Sequence, residues 1–244
     1  MAARRALTAV LLTRHPDLDD IEAALAAGRV RVDGVVITNP RSQVRPDARI
    51  EVATPRTLQG TRKLGFALDH FGVDVAGRVA LDVGACTGGF TVALLERGAR
   101  LVHAVDVGFG QLLGSLRQDP RVRNLERTNL GVLTRDHLDE QPDLIVVDVS
   151  NLALAAAVAQ LTANLDPAPG TELVGLVKPM FELRRAQPPT DEAELAEAVA
   201  RAAAGAEEHG WDVLGSVRSA MTGHRGAVEH LLHLRSRPRP EPDA

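Results

Sequence analysis

Charged side chains of both signs recur where apolar segments of the chain end. Lys178 and Asp148 each follow directly after an apolar run of strand length. Lys63 lies near the start of a helical segment, and Glu229 lies in the last apolar segment. Because parallel strands place their carboxyl ends at one edge of an open sheet, we expect these residues to form a cluster of alternating charge. A lysine fixed in such a cluster could take a proton from a hydroxyl group, although ordinary ion pairing also explains each charge.

A glycine-rich loop between a strand and a helix is the most specific motif. It runs Leu81-Asp-Val-Gly-Ala-Cys-Thr-Gly-Gly-Phe90 and lacks the G-x-G-x-x-G spacing of dinucleotide-binding proteins. The acid before its first glycine resembles instead the loop of methyltransferases that bind S-adenosylmethionine (SAM), where a carboxylate helps to place the methionine end. Asp106 ends the next strand and is placed to accept hydrogen bonds from a ribose diol. The predicted SAM site comprises Asp82, Gly84, Cys86, Thr87, Gly88, Gly89, Phe90, Asp106 and Val107.

The elements that must position these residues alternate between strand and helix. Such alternation is typical of a mainly parallel sheet, so the predicted fold class is α/β. Together with the glycine-rich loop, the pattern resembles a Rossmann-like SAM-methyltransferase sheet. The last two apolar runs have no helix between them and predict an antiparallel hairpin that closes the sheet. The predicted strands are 79–83, 101–106, 122–125, 144–148, 173–177, 213–217 and 227–234, and the predicted helices are 64–71, 89–97, 111–117, 151–165 and 191–209.

The first 53 residues follow a different pattern and predict a small, separate α+β module. Helical segments within 5–28 precede a hairpin with an Asp33-Gly34 turn and a further strand at 50–52. The rest of the chain is interpreted as a linker at 54–61, a SAM-dependent methyltransferase domain at 62–236 and a proline-rich, disordered tail at 237–244.

Composition narrows the classes of function. Only 2% of the 244 residues are aromatic, so base stacking on aromatic platforms is not expected to dominate any RNA binding. The net charge of −4 argues mildly against a dedicated nucleic-acid binder, yet residues 1–56 carry nine arginines against seven acidic residues. The single cysteine excludes an intrachain disulfide. No apolar run approaches the ~18 residues that span a membrane, so we expect a cytoplasmic protein without a membrane partner.

Taken together, the motifs resemble the hemolysin A (TlyA) family of rRNA (cytidine) 2′-O-methyltransferases, whose methyltransferase domain is of the FtsJ type. The likeness covers about residues 4–235. It includes the glycine-rich loop and motifs in a fixed order. These motifs are Asp106-Val-Gly-Phe-Gly-Gln-Leu112, Asp119-Pro-Arg-Val122, Leu125-Glu-Arg-Thr-Asn129, Val177-Lys-Pro-Met-Phe-Glu182 and Glu208-His-Gly-Trp211.

The resemblance implies roles for the charged cluster and for the N-terminal module. SAM is the implied cofactor, and rRNA or a ribosomal subunit is the implied partner. Lys178 is implied to be the base toward a ribose 2′-hydroxyl. Lys63, Asp148 and Glu229 are implied to orient Lys178 and that hydroxyl. The N-terminal module resembles the RNA-binding module of a ribosomal small-subunit protein. The family's Lys-Asp-Lys-Glu tetrad falls on Lys63, Asp148, Lys178 and Glu229.

Residues expected to face an RNA substrate depart from the family pattern. The second helix of the module begins Asp17-Leu-Asp-Asp-Ile-Glu22, where the family carries basic residues, and acidic side chains repel phosphate. Asn151 and Met180 replace an aromatic residue and a glutamine. Two hypotheses therefore stay open. In the first, the chain methylates rRNA, and the residues that contact the substrate are Arg4, Arg5, Arg29, Arg31, Met180 and Phe181.

The second hypothesis is a diverged paralogue that acts on a small molecule in secondary metabolism. It would methylate that molecule, or use SAM as a scaffold for a cyclisation, in an apolar pocket lined by Asn151, Met180 and Phe181. A pore-forming hemolysin, which the family name suggests, would need a membrane segment or a strongly basic amphipathic helix, and the sequence has neither.

Overall fold

The computed structural model describes residues 4–16, 18, 21–26, 29–52, 58–223 and 226–238. The chain divides into two compact units. One comprises Met1–Thr57 with Leu113–Gln118, and the other comprises Leu58–Leu112 with Asp119–Ala244. Most of the predicted linker and tail, residues 54–57 and 239–244, lies outside the described residues, as do Asp17, Asp19 and Asp20 of the acidic stretch. Among the described helices, none is both long and apolar enough to cross a membrane.

The N-terminal unit combines two helices with small antiparallel sheets. Asp33 and Gly34 both have positive φ angles, 49° and 83°, as a two-residue type I′ hairpin turn requires, so the predicted hairpin is confirmed. Leu7, Leu11 and Leu25 form the centre of its core. The elements are β1 (Arg5–Ala6), α1 (Leu7–Arg14), α2 (Ile21–Ala26), β2 (Val30–Val32), β3 (Val35–Val36), β4 (Gln43–Val44) and β5 (Ile50–Val52), with β1 paired to β4 and a sheet of order β3-β2-β5.

The second unit, called the catalytic unit below, is built on a sheet of seven strands. Their order is β11-β12-β10-β9-β6-β7-β8, and all neighbours from β10 to β8 are parallel. Strand β12 runs antiparallel to both β10 and β11, which confirms the predicted closing hairpin. The elements are α3 (Gln59–Phe71), β6 (Val79–Val83), α4 (Gly89–Glu96), β7 (Leu101–Asp106), α5 (Gly114–Gln118), β8 (Val122–Glu126), β9 (Leu144–Val147), α6 (Leu154–Leu165), β10 (Glu172–Val177), α7 (Pro179–Glu182), α8 (Glu192–Glu208), β11 (Trp211–Arg218) and β12 (His230–Ser236). Of these elements, α5 lies within Leu113–Gln118 and therefore belongs to the N-terminal unit and not to the catalytic unit.

Aliphatic side chains fill the core of the catalytic unit. The central strands β6 and β9 are buried along their whole length, as expected for parallel strands covered on both faces. Trp211 is 1% exposed, and its indole N–H donates to the Thr162 hydroxyl at 2.8 Å, which satisfies its buried polar group. The core therefore consists mainly of Leu, Val and Ala.

Helix α3 begins earlier than the sequence predicts. Residues 59–61, which the sequence assigns to the linker, form its first turn. Gly60 obscured this turn because glycine disfavours helix interiors. In the structure its missing side chain allows close packing, since a Cβ on Gly60 would lie 3.2 Å from the Cα of Gly89 at the start of α4. The Thr61 hydroxyl also donates to the Gly89 carbonyl at 2.9 Å, so α3 is fixed against the glycine-rich loop.

Candidate active site

One cavity of about 1270 Å³ opens at the carboxyl ends of the central strands of the catalytic unit. Its wall includes the ends of β6 and β7 and the residues that directly follow β9 and β10. This is the edge where open α/β sheets bind ligands. All four members of the predicted charged cluster line it: Lys63, Asp148, Lys178 and Glu229.

Lys178 is held by two acceptors from the loop after β9. Its ammonium nitrogen lies 2.6 Å from Asp148 Oδ1 and donates to the Val149 carbonyl at 2.8 Å. Strands β9 and β10 are parallel neighbours, so the residues that follow them lie at the same edge of the sheet. Cε and the two acceptors occupy three of the four tetrahedral positions around the nitrogen. One position therefore stays available for a further hydrogen bond.

Lys63 and Glu229 form the second ion pair of the cavity. Their Nζ and Oε2 atoms lie 2.5 Å apart, and both side chains are buried. Glu229 precedes β12, and its carboxylate reaches Lys63 on α3 past Gly223. A Cβ on Gly223 would overlap the Glu229 carboxylate, so a larger residue there would displace that carboxylate from Lys63. The tetrad residues thus form two separate lysine–carboxylate pairs in one cavity.

The glycine-rich loop turns sharply over the ends of β6 and β9. Gly84 has a φ of +88°, and a Cβ there would overlap the Asp148 carbonyl, so only glycine fits. Gly88 has a φ of +98° and directly precedes α4, where the Thr91 N–H donates to the buried Asp82 carboxylate. Cys86 is exposed and also has a positive φ of 49°. The loop therefore brings backbone close to the cavity.

Asp106 lies at the end of β7 and lines the cavity. Its Oδ2 accepts from the Cys86 N–H at 2.8 Å, and its Oδ1 accepts from the Gly108 N–H at 2.6 Å. These bonds fix the carboxylate and join two loops of the cavity wall. Because a carboxylate has about four acceptor sites, two bonds leave capacity for a ligand hydroxyl.

Asp82 lies beneath the glycine-rich loop and not in the cavity. It is 0% exposed, and its Oδ2 accepts from the Thr91 hydroxyl at 2.6 Å. Burial raises the pKa of Asp82 to about 7, although the hydrogen bond from Thr91 opposes that shift. Its Oδ1 has no hydrogen-bond partner among the described residues. Asp82 thus supports the glycine-rich loop from below. The sequence had instead suggested that its carboxylate helps to place the ligand.

The other predicted SAM residues divide between the cavity wall and the layer behind it. Gly84, Cys86, Asp106 and Val107 line the cavity. Thr87 is exposed in the loop, while Gly88 and the first turn of α4 are buried behind it. Gly89 and Phe90, in that turn, both face Gly60 of α3.

The predicted substrate residues divide between the two units. Met180 and Phe181 line the cavity directly after Lys178. The arginines belong to the N-terminal unit, where Arg4, Arg5 and Arg31 are exposed and Arg29 is partly buried.

Sequence reasoning missed several residues of the cavity wall. Gln111 and Thr128 stand inside motifs quoted for the family resemblance, so a signal existed for them. The segment 186–190 offered none, because it has no periodicity or charge pattern. The missed residues include Gln59, Gln111, Thr128, Asn129, Leu130, Gln160, Ala186, Gln187, Pro188, Pro189 and Thr190.

Glu182 was also missed as a support for the site. Its buried carboxylate accepts from the N–H groups of Leu154 and Ala155 at the start of α6. Ala153, which precedes α6, provides no side-chain cap, so Glu182 performs that role from α7. This contact explains why α6 begins at Leu154 and not at the predicted residue 151. It also fixes the segment between Asp148 and α6 against the turn that carries Lys178.

The described residues contain no group of His, Cys, Asp or Glu side chains with the geometry of a metal site. The cavity instead combines a glycine-rich loop after β6, an acid at the end of β7 and charged side chains after β9 and β10. The fold is that of the Rossmann-like methyltransferase class. An S-adenosylmethionine dependent methyltransferase from Mesorhizobium loti shares the fold, with a TM-score of 0.50 and 16% identity over 69% of this chain and 95% of that chain.

Within that class, residues 58–236 match the model of the FtsJ-like methyltransferase family. The chain belongs to the FtsJ-like methyltransferase family.

Two relatives match over most of their length. The 16S/23S rRNA (cytidine-2′-O)-methyltransferase TlyA of Mycobacterium tuberculosis is 40% identical over 252 residues, which cover 97% of this chain and 91% of that protein. A solved structure from Streptococcus thermophilus that carries the name hemolysin is 29% identical, with a TM-score of 0.71 over 100% of this chain and 92% of that chain. The predicted family resemblance is therefore confirmed, and it extends through the N-terminal unit.

Proposed function

We propose that this chain transfers a methyl group from SAM to a ribose 2′-hydroxyl of ribosomal RNA, with Lys178 as the base. The observation that carries the proposal is the double anchoring of Lys178 at the cavity wall by Asp148 and Val149. The identity of 40% with an rRNA (cytidine-2′-O)-methyltransferase over 97% of the chain supports rRNA as the substrate over the small-molecule alternative.

The residues of the cavity fit SAM by their chemistry. SAM supplies an electrophilic methyl group on a positively charged sulfur. Asp106 would hold the ribose hydroxyls, because its carboxylate lines the cavity and keeps acceptor capacity. Gly84 and Cys86 would present their backbone to the methionine end, and Val107 would cover the apolar part of the adenine ring. Asp82 and Thr91 support this loop from below.

Lys178 is the residue placed to move a proton. Two of its hydrogen-bonding positions are used by Asp148 and Val149, which fixes the direction of the remaining one. In the neutral amine that position holds the lone pair, which accepts the proton of a ribose hydroxyl. The hydroxyl oxygen thereby gains the electron density that makes it a nucleophile. Asp148 then stabilises the ammonium ion formed on Lys178, because opposite charges attract across 2.6 Å.

The Lys63–Glu229 pair would orient the substrate. Both residues line the cavity, and Glu229 Oε2 is already bonded to Lys63. The remaining donors of Lys63 can hold the ribose or a neighbouring phosphate oxygen. Met180 and Phe181 extend the cavity wall on the side of Lys178, where a nucleobase of the RNA can pack against their apolar atoms.

Methyl transfer from labelled SAM to purified ribosomal subunits that lack this modification tests the proposal. We expect label in the rRNA of one subunit with the wild-type protein. Lys178→Ala should reduce the rate by roughly 10²- to 10⁴-fold, the usual contribution of a general base. SAM affinity measured by calorimetry should stay unchanged, because Lys178 binds Asp148 and Val149 and not the glycine-rich loop.

Two outcomes would contradict the proposal. Absence of label with either subunit, while SAM still binds, would mean that ribosomal RNA is not the substrate. Unchanged labelling by Lys178→Ala would mean that another residue is the base.

A further inference from the structure

Two side chains within the motifs quoted above have no role in the proposed chemistry, yet they meet in space. Phe109 comes from the segment after β7, and Arg127 comes from the segment after β8. The Arg127 guanidinium lies 3.8 Å from the centroid of the Phe109 ring. We call this contact the Phe109–Arg127 stack. The segments that carry it also line the active-site cavity, at Gln111 and Thr128.

Backbone hydrogen bonds hold the two segments together. The Arg127 N–H donates to the Gly108 carbonyl at 2.9 Å, and the Thr128 N–H donates to the Asp106 carbonyl at 3.0 Å. The Glu126 carboxylate accepts from the N–H of Gln111 at 2.9 Å. The three hydrogen bonds fix the two segments to each other, so the stack has a rigid backbone support.

The charge of Glu126 strengthens this backbone support. Burial raises the pKa of Glu126, but hydrogen bonds from the Asn124 amide and from N–H groups of residues 110–112 outweigh it and hold the pKa at about 2. Glu126 is thus a carboxylate at neutral pH, and its charge is directed to these N–H groups. Among the described residues no carboxylate pairs with the Arg127 guanidinium, which keeps its hydrogen-bond donors for a ligand.

Protein packing does not account for the stack. Phe109 is 64% exposed in a chain with only five phenylalanines, one tryptophan and no tyrosine. Arg127 is exposed and has a φ of +60°, a strained conformation for a residue other than glycine. An exposed aromatic ring beside a strained arginine gains little from burial. Such a departure from local preference marks a position kept for binding.

We infer that the Phe109–Arg127 stack is a platform on which an unpaired base of the RNA substrate stacks at the rim of the active-site cavity. The inference rests on the proposed function, since it names the part of the substrate that this rim contacts. Every nucleobase has a π face that can stack on an aromatic ring or a guanidinium plane. The guanidinium N–H groups of Arg127, which pair with no carboxylate in the described part of the chain, can bond the adjacent phosphate. The low aromatic content of the chain limits such stacking to a local contribution.

A binding experiment tests the stack without requiring methyl transfer. The only native tryptophan, Trp211, is 1% exposed, so Phe109→Trp places a second, accessible indole at the rim. The probes are a short, unstructured oligocytidylate and an abasic oligomer of the same length. We expect the oligocytidylate to quench the new fluorescence and the abasic oligomer not to do so. Equal quenching by both would show phosphate binding only and would overturn the inference.

Substitutions measured against ribosomal subunits give the second readout. Phe109→Ala should raise the KM for the subunit by roughly 5- to 150-fold, the loss of one stacked base, and Phe109→Tyr should restore it. Arg127→Lys keeps the charge but loses the planar stack, so it should recover only part of the loss seen with Arg127→Ala. SAM affinity should not change in any of these variants.

Leu214→Ala is the matched control, since Leu214 is an exposed apolar side chain on β11 at the opposite edge of the same sheet. An unchanged KM in Phe109→Ala, with active wild-type protein, would overturn the stack and leave the proposed function standing. No label with wild-type protein would overturn the proposed function, while the fluorescence experiment would still decide whether the stack binds a base.

Discussion

Two lysine–carboxylate pairs share one cavity but differ in their surroundings. Lys63 and Glu229 lie 2.5 Å apart with side chains only 9% and 6% exposed. Lys178 and Asp148 lie 2.6 Å apart, but their side chains are 16% and 25% exposed, and Lys178 has a second acceptor in Val149. The two lysine–carboxylate distances are similar, but the two pairs differ in exposure and in their hydrogen-bond partners.

Exposure decides what each pair can do. A buried pair must remain intact, because an isolated charge in the interior loses its hydration without compensation. The Lys63–Glu229 pair is therefore suited to fixing α3 and the segment before β12 at the cavity. A partly exposed pair can exchange partners and protons at lower cost. Lys178 and Asp148 are thus suited to the proton transfer of the proposed reaction.

The largest effect on stability is expected from breaking the buried pair. Glu229→Gln leaves the Lys63 ammonium buried without a counter-ion, so the free energy of unfolding should fall by roughly 3–5 kcal/mol. Chemical denaturation followed by circular dichroism measures this change.

A double variant separates charge from packing at the same site. Lys63→Met combined with Glu229→Gln removes both charges and should recover most of the lost stability, while methyl transfer stays impaired. If Glu229→Gln alone unfolds at the same denaturant concentration as the wild type, the buried pair does not stabilise the fold. The proposed difference in role between the two pairs would then be wrong.

Glu182 is a buried carboxyl group with no cation beside it among the described residues, and it extends the comparison of the two pairs. Burial raises the pKa of Glu182 to about 7, although N–H groups of Leu154 and Ala155 oppose the shift. The unfolded chain titrates this group near its ordinary value of about 4.3, so the folded state binds the extra proton between roughly pH 4 and 7. The contribution of Glu182 to stability therefore falls as the pH rises through that window and is level above it.

Glu182→Gln removes this titration while keeping an acceptor for α6. From pH 5 to pH 8, the stability of the variant relative to wild type should rise by about 2–3 kcal/mol. Asp82 titrates in both proteins and cancels in the difference. Glu208→Gln, at an exposed position of α8, is the matched control and should show no such trend. A difference that does not vary with pH would mean that Glu182 is ionised normally in the folded protein.

The sequence predicts most of this architecture because its strands are continuous apolar runs. The charged cluster was also predictable in part, since Asp148 and Lys178 directly follow such runs. The pairing within the cluster was not, because it depends on β9 and β10 being neighbours and on α3 approaching β12. Nothing local to Lys63 or Glu229 encodes that contact across the chain.

The missed features share one physical cause, which is contact between distant segments. Gly60 appears as a helix breaker until its contact with Gly89 is known. Glu182 appears as an ordinary helix residue until its carboxylate is found at the start of α6. Phe109 and Arg127 appear as unrelated surface residues until their stack is seen. Local preference can be read from residue order, whereas these contacts require the folded chain.

The smallest effect on stability is expected at the partly exposed pair. Asp148→Asn keeps the size and an acceptor oxygen, and Lys178 retains the Val149 carbonyl. The free energy of unfolding should therefore change by roughly 1 kcal/mol, less than at the buried pair, because solvent partly screens this pair. Methyl transfer should nevertheless fall, because the carboxylate no longer stabilises the ammonium ion that forms on Lys178. Measured beside Glu229→Gln, this variant tests whether stability and catalysis separate between the pairs, and a loss of stability equal to that of Glu229→Gln would refute the separation.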